Sequence, residues 1–161
     1  MTPPTWHLIH ATALCFKGMG FLLLGKSRSG KSDFALRLII EEGARLVGDD
    51  ACEVAWCYGG AFVRGTLPLS SLLEVRPWGV KSLKEHQTTP QASLAFACVL
   101  DESAAFSLLL KEKGIDIPVY PFDPFEVSAC AKLKLLVQKA QDFQAPLPSY
   151  LPLSTRVKSP L

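Results

Sequence analysis

Short apolar runs separated by glycine-containing turns occupy the first part of the chain. Strand formers with partial alternation over 6–16 predict a strand with His10 and Thr12 on one face. The following glycine turn predicts that it pairs as a hairpin with a buried strand over 21–24. Over 31–42, polar side chains four apart within a wide apolar arc indicate a mostly buried helix, which Gly43 should end in a left-handed conformation.

Further strands and helices are predicted for the rest of the chain. The polar stretch over 81–91 predicts a mobile loop. The other predicted elements are strands over 44–47 and 93–100, a hairpin over 52–57 and 61–64, a turn around 69–73, a short helix over 104–110, an edge strand over 115–122 and a last helix from 123 or 124 to about 143. The apolar face of that last helix would carry Phe125, Ala129, Leu133, Leu136 and Ala140.

Length and composition predict one domain. The chain has 161 residues, of which 48% are hydrophobic, enough for a single core over 1–143. Residues 144–161 carry four prolines and are expected to lack regular structure. The start of the chain does not fit a signal peptide and the apolar runs are far shorter than a membrane span, so we expect a cytoplasmic protein with no membrane contact.

Charge and cysteine content narrow the class of partner. With 17 basic and 15 acidic residues the formal net charge is +2, and no basic stripe is interleaved with aromatic residues, which argues against nucleic acid. Five cysteines without a C-x-x-C pair indicate reduced thiols of a cytosolic protein. The histidines and cysteines do not have the spacing of a zinc site.

A G-x-x-x-x-G-K-[ST] motif lies directly between a predicted strand and a predicted helix. In such a loop the glycines let backbone N–H groups point at phosphate oxygens, the lysine reaches the β- and γ-phosphates, and the last hydroxyl can ligate Mg²⁺. The motif therefore predicts nucleotide binding. The candidate residues are Gly25, Lys26, Ser27, Arg28, Ser29, Gly30, Lys31 and Ser32.

A phosphate loop indicates a nucleotide but no reaction, so the other polar residues matter. Phosphoryl transfer needs oxygen ligands for Mg²⁺ and a carboxylate that takes a hydroxyl proton, and the candidates are His10, Asp49, Asp50, Glu74 and Arg76. The two aspartates would lie near the loop if strand 44–47 neighbours strand 21–24. Each candidate also has a plainer interpretation: a strand-end cap for the aspartates, a half-buried histidine, and a surface ion pair for the glutamate and arginine.

Four motifs follow one another along the chain: His10-Ala-Thr-Ala-Leu, residues 25–32 with Asp33, Arg45-Leu-Val-Gly-Asp49-Asp50, and Leu73-Glu74-Val-Arg76-Pro-Trp-Gly79-Val80. They are similar to H-G/A, G-x-x-G-x-G-K-S-E, R-L-V-A-D-D and L-E-I-R-G-x-G-I of the HPr kinase/phosphorylase catalytic domain. The chain resembles that family over 10–80 without a gap. This favours a compact version reduced to the catalytic domain.

The resemblance implies an α/β P-loop domain related to phosphoenolpyruvate carboxykinase, with a mixed central sheet, flanking helices and a hexameric assembly. It implies an enzyme that uses ATP and Mg²⁺ to phosphorylate a serine of HPr, the small carrier protein of the sugar phosphotransferase system, and that can reverse this by phosphorolysis. By the same resemblance Lys31 would hold the β- and γ-phosphates, and Ser32 and Glu74 would be the Mg²⁺ ligands.

The resemblance also implies catalytic roles. Asp49 would be the base that takes the proton of the substrate serine, and His10 would lie beside Asp49 and orient it. Arg76 would neutralise phosphate charge, and Asp50 would act behind these groups.

Departures from the family pattern leave other functions open. Tyr120 and Asp123 stand where a family stretch like P-V-R-P-G-R, tied to dephosphorylation, has arginines, and Lys26 and Arg28 add cations to a loop that tends to be uncharged. Kinase activity is therefore the expectation, with phosphorylase activity open. Two alternatives are a small-molecule kinase or ATPase, and a non-catalytic nucleotide-sensing module.

Overall fold

Ten strands and three helices make up the described part of the chain, which in the computed structural model comprises residues 3–66, 71–101 and 105–143. A short 3₁₀ helix, Glu85–Gln87, precedes the ninth strand. In chain order the elements are β1 (His7–Ile9), β2 (Thr12–Phe16), β3 (Met19–Leu24), α1 (Lys31–Glu42), β4 (Arg45–Gly48), β5 (Cys52–Cys57), β6 (Gly60–Gly65), β7 (Leu72–Val75), β8 (Gly79–Ser82), β9 (Gln91–Val99), α2 (Ala105–Glu112), β10 (Val119–Pro121) and α3 (Ala129–Phe143).

Eight of the strands form one mixed sheet. Its order is β1-β5-β6-β9-β3-β2-β4, with β10 beside the last residues of β9. β3 runs parallel to β9 and antiparallel to β2, which is itself antiparallel to β4. The carboxyl ends of β3, β4 and β9 therefore share one edge of the sheet. β7 and β8 form a separate hairpin. The predicted α/β fold with a mixed central sheet and flanking helices is confirmed.

Helices cover both faces of the sheet, which explains why β3 has no polar residue. Phe21 and Leu23 face one apolar core, while Leu22 and Leu24 face the other, as the two-residue period of a strand requires. α1 and α3 pack on the Phe21 side, and α2 places Leu110 in the opposite core. The loop that follows β3 is therefore anchored in a strand that is buried from Gly20 to Leu24.

The predicted helix over 31–42 is confirmed as α1. Gly30 precedes it with φ 97° and Gly43 follows it with φ 79°, both in the left-handed region that glycine tolerates. The amide of Ala44 donates to the Leu38 carbonyl at 3.0 Å, which closes the helix end. Both ends of α1 thus depend on glycines that can be recognised in the sequence.

The predicted single strand over 6–16 is wrong, because the chain forms two strands there. β1 pairs with β5, whereas β2 pairs with β3 and β4, so the chain changes partner at His10 and Ala11. His10 is exposed and Thr12 is fully buried, so the two do not share a face. β4 also does not neighbour β3, since β2 lies between them. The predicted hairpin is confirmed as β2 and β3.

The last helix begins at Ala129, several residues later than predicted. The Asp123 carboxylate accepts the N–H of Phe125 at 2.9 Å in a turn, and the chain continues through turns up to Ser128. Phe125 therefore lies outside the helix and is 69% exposed, not on its apolar face.

The segment over 81–91 is not a loop throughout, because it contains the end of β8 and the 3₁₀ helix. The amide of Thr89 also donates to the carbonyl of Leu46 at 2.9 Å, which ties this segment to β4. Part of the predicted turn over 69–73 and the whole of 144–161 lie outside the described residues. Among the helices of the described ranges, none is long and apolar enough to cross a membrane.

Candidate functional site

Hydrogen bonds fix the start and the interior of the loop between β3 and α1. The amide of Leu100 donates to the carbonyl of Leu24 at 2.8 Å, which ties the start of the loop to β9. Just beyond β9, the Asp101 carboxylate accepts the amide of Lys26 at 2.7 Å. Within the loop the amide of Ser29 donates to the Lys26 carbonyl at 3.1 Å. These bonds within the chain define the shape of the loop.

Close approach disfavours a side chain at both motif glycines. A Cβ on Gly25 would lie 2.4 Å from the Ser29 hydroxyl oxygen, and a Cβ on Gly30 would lie 3.0 Å from the Phe125 ring. Gly30 also has a positive φ, as does Arg28 with φ 69°, which is unusual for a residue with a side chain. The loop thus carries backbone strain at its centre, a feature typical of ligand-binding turns.

The Lys31 side chain folds back over the loop. Its ammonium donates to the carbonyl of Gly25 at 2.6 Å and to the carbonyl of Lys26 at 2.7 Å. An ammonium has three N–H donors, so one remains for a ligand. Burial lowers the pKa of Lys31 from its ordinary value, while the carboxylates of Asp50, Asp49 and Asp101 oppose that shift. Lys31 is therefore a scaffold of the loop and also a donor for a phosphate.

Asp49 connects four elements at the shared edge of the sheet. Its Oδ1 accepts the Thr12 hydroxyl at 2.9 Å, and the Ser32 hydroxyl lies 3.0 Å from Oδ1 and 3.2 Å from Oδ2. Oδ2 also accepts the backbone amide of Glu74 at 3.1 Å. Asp49 thus brings β2, the start of α1 and β7 to the end of β4. The prediction that Asp49 lies near the phosphate loop is supported by these contacts.

A cleft of about 210 Å³ opens beside the loop. It mixes cations, carboxylates and an apolar wall, which suits a ligand that carries both charge and apolar surface. Its lining residues are Ser27, Arg28, Gly30, Lys31, Ser32, Asp33, Leu36, Asp50, Glu74, Val75, Arg76 and Phe125.

The remaining candidate site residues differ in their position relative to the cleft. Glu74 and Arg76 both line the cleft and form an ion pair of 3.5 Å between exposed side chains, so their plainer interpretation also holds. Asp50 is exposed, lines the cleft and has φ 66°. His10 is exposed in the break between β1 and β2, and in the described part of the chain it is not among the hydrogen-bond partners of Asp49.

Three residues of the site escaped the sequence interpretation. Thr12 holds Asp49, Asp101 holds the loop, and Phe125 packs on Gly30. Asp101 had a partial signal, since it directly follows a predicted strand, but the sequence did not show that this strand runs parallel to β3. Thr12 and Phe125 had none that separates them from ordinary strand or helix residues.

A divalent cation would find oxygen donors in this cleft. Among the described residues, no group of three or more His, Cys, Asp and Glu side chains lies together in a metal-holding arrangement. Mg²⁺ in phosphoryl transfer does not depend on such a cage, since it keeps waters and binds one or two protein oxygens together with phosphate oxygens. The Ser32 hydroxyl and the Glu74 carboxylate line the same cleft and fit that donor set.

A mixed sheet with a G-x-x-x-x-G-K-S loop between a central strand and a helix, and with acidic residues at the same edge, defines a P-loop domain. More than half of the chain, residues 5–88, matches the family model described as the HPr Serine kinase C-terminal domain. The chain belongs to this family.

Relatives with known names agree with this assignment. The HPr kinase/phosphorylase of Brevibacillus brevis is 40% identical over 74 residues, which cover 45% of this chain and 23% of that protein. The HPr kinase/phosphorylase of Burkholderia cenocepacia is 44% identical over 78 residues, which cover 47% of this chain and 24% of that protein. The matched region is thus about a quarter of these relatives' length.

A solved structure shows the same fold. The HPr(Ser) kinase/phosphatase from Coxiella burnetii superposes with a TM-score of 0.65 over 84% of this chain and 90% of that chain, at 18% sequence identity. The structural match therefore extends well beyond the region that the sequence relatives cover.

Proposed function

We propose that this chain is an ATP- and Mg²⁺-dependent kinase that phosphorylates a serine of an HPr-like phosphocarrier protein. The observation that carries the proposal is the contact between Ser32 of the phosphate loop and Asp49, which brings a candidate metal ligand and a candidate base together beside Lys31. Membership of the HPr kinase family supports the choice of substrate.

In the proposed reaction the loop amides and Lys31 hold the phosphates of ATP. Mg²⁺, when bound by Ser32 and Glu74, would supply positive charge against the β- and γ-phosphates. The serine oxygen of the carrier attacks the γ-phosphorus, and a new P–O bond forms as the bond to the β-phosphate oxygen breaks and ADP leaves. Asp49 takes the proton of the serine hydroxyl.

The Asp49 carboxylate has a lone-pair position left that can accept that proton. A carboxylate offers about four lone-pair positions, and the described contacts supply three donors, from Thr12, Ser32 and the Glu74 amide. These donors hold the carboxylate toward the loop. We keep His10 as a candidate orienting residue and Arg76 as a candidate for neutralising charge.

The proposal extends to the setting of the reaction. The family resemblance favours a cytoplasmic protein whose catalytic domain spans 1–143. It also favours a homo-oligomer, a hexamer, and light scattering measures this oligomeric state. The reverse reaction, phosphorolysis, would use Asp49 as the acid and inorganic phosphate as the acceptor.

Mass spectrometry of the carrier tests the function. An HPr-like protein is incubated with the chain, ATP and Mg²⁺, and then digested. We expect one added phosphoryl group on a serine, which disappears when ATP is omitted. Adding inorganic phosphate to the phosphorylated carrier tests the reverse reaction. ATP hydrolysis that does not need the carrier would instead indicate a small-molecule kinase or ATPase, and nucleotide binding without any turnover would indicate a sensing module.

Glu74→Gln should raise the Mg²⁺ concentration needed for half-maximal transfer by about tenfold, because the amide lacks the charge that a hard cation prefers. A Mg²⁺ titration of carrier phosphorylation measures this. Glu42→Gln is the control, since Glu42 pairs with Lys134 between α1 and α3. An unchanged titration would leave Glu74 as the ion-pair partner of Arg76 only.

Arg28→Gly should weaken ATP binding several-fold while leaving the melting temperature within about 2 °C. Removing strain at the positive φ gains about 1 kcal/mol, and the greater freedom of glycine in the unfolded chain offsets it. Arg28 lines the cleft and forms no ion pair within the described ranges, so its charge is available to a phosphate. Calorimetry with ATP measures the loss.

The matched control for Arg28 is Lys17→Gly. Lys17 is also a basic residue at positive φ, 50°, but it lies in the turn between β2 and β3. It should show the same small change in melting temperature and unchanged ATP binding. Equal ATP affinity in Arg28→Gly and the wild type would remove Arg28 from the binding site.

A further inference from the structure

The cleft beside the phosphate loop has an apolar wall that phosphate binding does not explain. Leu36 of α1, Val75 of β7 and Phe125 line it together with the charged residues. Phe125 is 69% exposed, although it is a large aromatic side chain in a structured segment. An apolar surface of this kind, next to polar groups in a concave site, is typical of a ligand contact.

The Phe125 ring is held in place by the chain around it. The Asp123 carboxylate accepts the amide of Phe125 at 2.9 Å, and the Arg37 guanidinium of α1 donates to the carbonyl of the buried Pro124. The edge of the ring meets Gly30, where an added Cβ would lie 3.0 Å from it. The backbone that carries the ring is therefore held beside the phosphate loop, and the ring leaves much of its surface open.

The position of the ring limits what can lie on it. Gly30 directly precedes Lys31, so the ring adjoins the part of the loop whose amides and lysine would hold phosphates. If the polyphosphate of a ligand occupies the loop, a group of the same ligand that lies on the ring must be joined to that polyphosphate by a short linker. A planar base on a ribose meets that requirement, and every base has a face that stacks on an aromatic ring.

We propose that Phe125 is the platform on which the base of the bound nucleotide stacks, with Leu36 and Val75 as the apolar contacts around it. The inference rests on the proposed nucleotide-binding function and adds the part of the site that recognises the nucleoside. Since the contact uses only the face of the base, it selects for a nucleoside and discriminates weakly among bases.

Calorimetry with two ligands tests this on the full chain in the presence of Mg²⁺. Phe125→Ala should weaken binding of ATP and ADP by about tenfold, the usual scale of a lost base–aromatic stack. It should leave tripolyphosphate, which lacks a base, within about twofold of the wild type, because the loop contacts stay intact. Phe125→Tyr should restore ATP binding, and Phe125→Leu, which is apolar but not aromatic, should not.

Val127→Ala is the matched control. Val127 is a fully exposed apolar residue close to Phe125 in the chain and does not line the cleft, so the variant should bind ATP as the wild type does. Melting temperatures of all variants separate misfolding from lost contacts, and the comparison of Phe125→Leu with Phe125→Tyr keeps the test decisive if the alanine variant unfolds.

The other outcomes are distinct. Equal loss of ATP and tripolyphosphate in Phe125→Ala would mean that the ring only holds Gly30 and the loop, and would overturn the proposal. Unchanged ATP binding would overturn it as well, and a raised KM for the carrier with unchanged ATP binding would assign the ring to the protein substrate. A wild type that binds neither ligand would instead refute nucleotide binding itself.

Discussion

Lys31→Ala should lower the rate of carrier phosphorylation by about a thousandfold or more, the scale seen when a cation that stabilises transferring phosphate is removed. ATP affinity should fall as well. The ammonium already donates to the carbonyls of Gly25 and Lys26, so its removal also leaves two acceptors of the loop without that donor. The free energy of unfolding should drop by only about 1 kcal/mol, because these carbonyls can bind water.

Single-turnover phosphorylation measures the loss of transfer rate, and calorimetry measures the loss of ATP affinity. A melting curve measures the loss of stability. Lys139→Ala is the matched control, since Lys139 lies on α3 over the ring of Tyr120 and outside the cleft. If Lys31→Ala transferred phosphate at the wild-type rate, the loop would have a structural role only.

Asp49→Asn should remove transfer while leaving ATP binding close to that of the wild type. Losing a general base costs about 10²–10⁴-fold in rate. An asparagine oxygen can still accept the hydroxyls of Thr12 and Ser32, so the loop should keep its shape. The amide nitrogen, however, cannot accept the Glu74 amide that now donates to Oδ2. A modest loss of stability should therefore accompany the loss of activity.

Asp50→Asn is the comparison that assigns the base. Asp50 is exposed in the cleft, whereas the Asp49 carboxylate is held by three donors. Mass spectrometry of the carrier with each variant decides between them. Transfer that survives Asp49→Asn and is lost in Asp50→Asn would move the role of base to Asp50.

Local patterns in the sequence predict the centre of the domain well. The phosphate loop and the bounds of α1 follow from Gly30, Lys31 and Gly43, whose conformational roles depend only on adjacent residues. β3 and β9 follow from apolar runs that are covered on both faces. These features need no knowledge of which strands are neighbours.

Features that depend on strand order are not predictable in this way. Thr12 holds Asp49 only because β2 lies between β3 and β4, and nothing local shows that residues 6–16 change partners at His10. The contact of Asp49 with the Glu74 amide joins residues 25 apart in sequence. Phe125 reaches the loop because the Asp123 turn delays the last helix, whereas the apolar spacing alone favours an earlier start.

The hydrogen bonds that fix the phosphate loop affect how the free energy of nucleotide binding would divide between enthalpy and entropy. Asp101 holds the Lys26 amide and Lys31 holds two loop carbonyls through bonds within the chain itself. The conformational freedom of the loop is thus given up during folding, and a phosphate does not have to order it again. A nucleotide phosphate can accept the third N–H of Lys31 while the two bonds to the loop carbonyls persist, so binding adds a partner to an ordered loop and does not have to fold it.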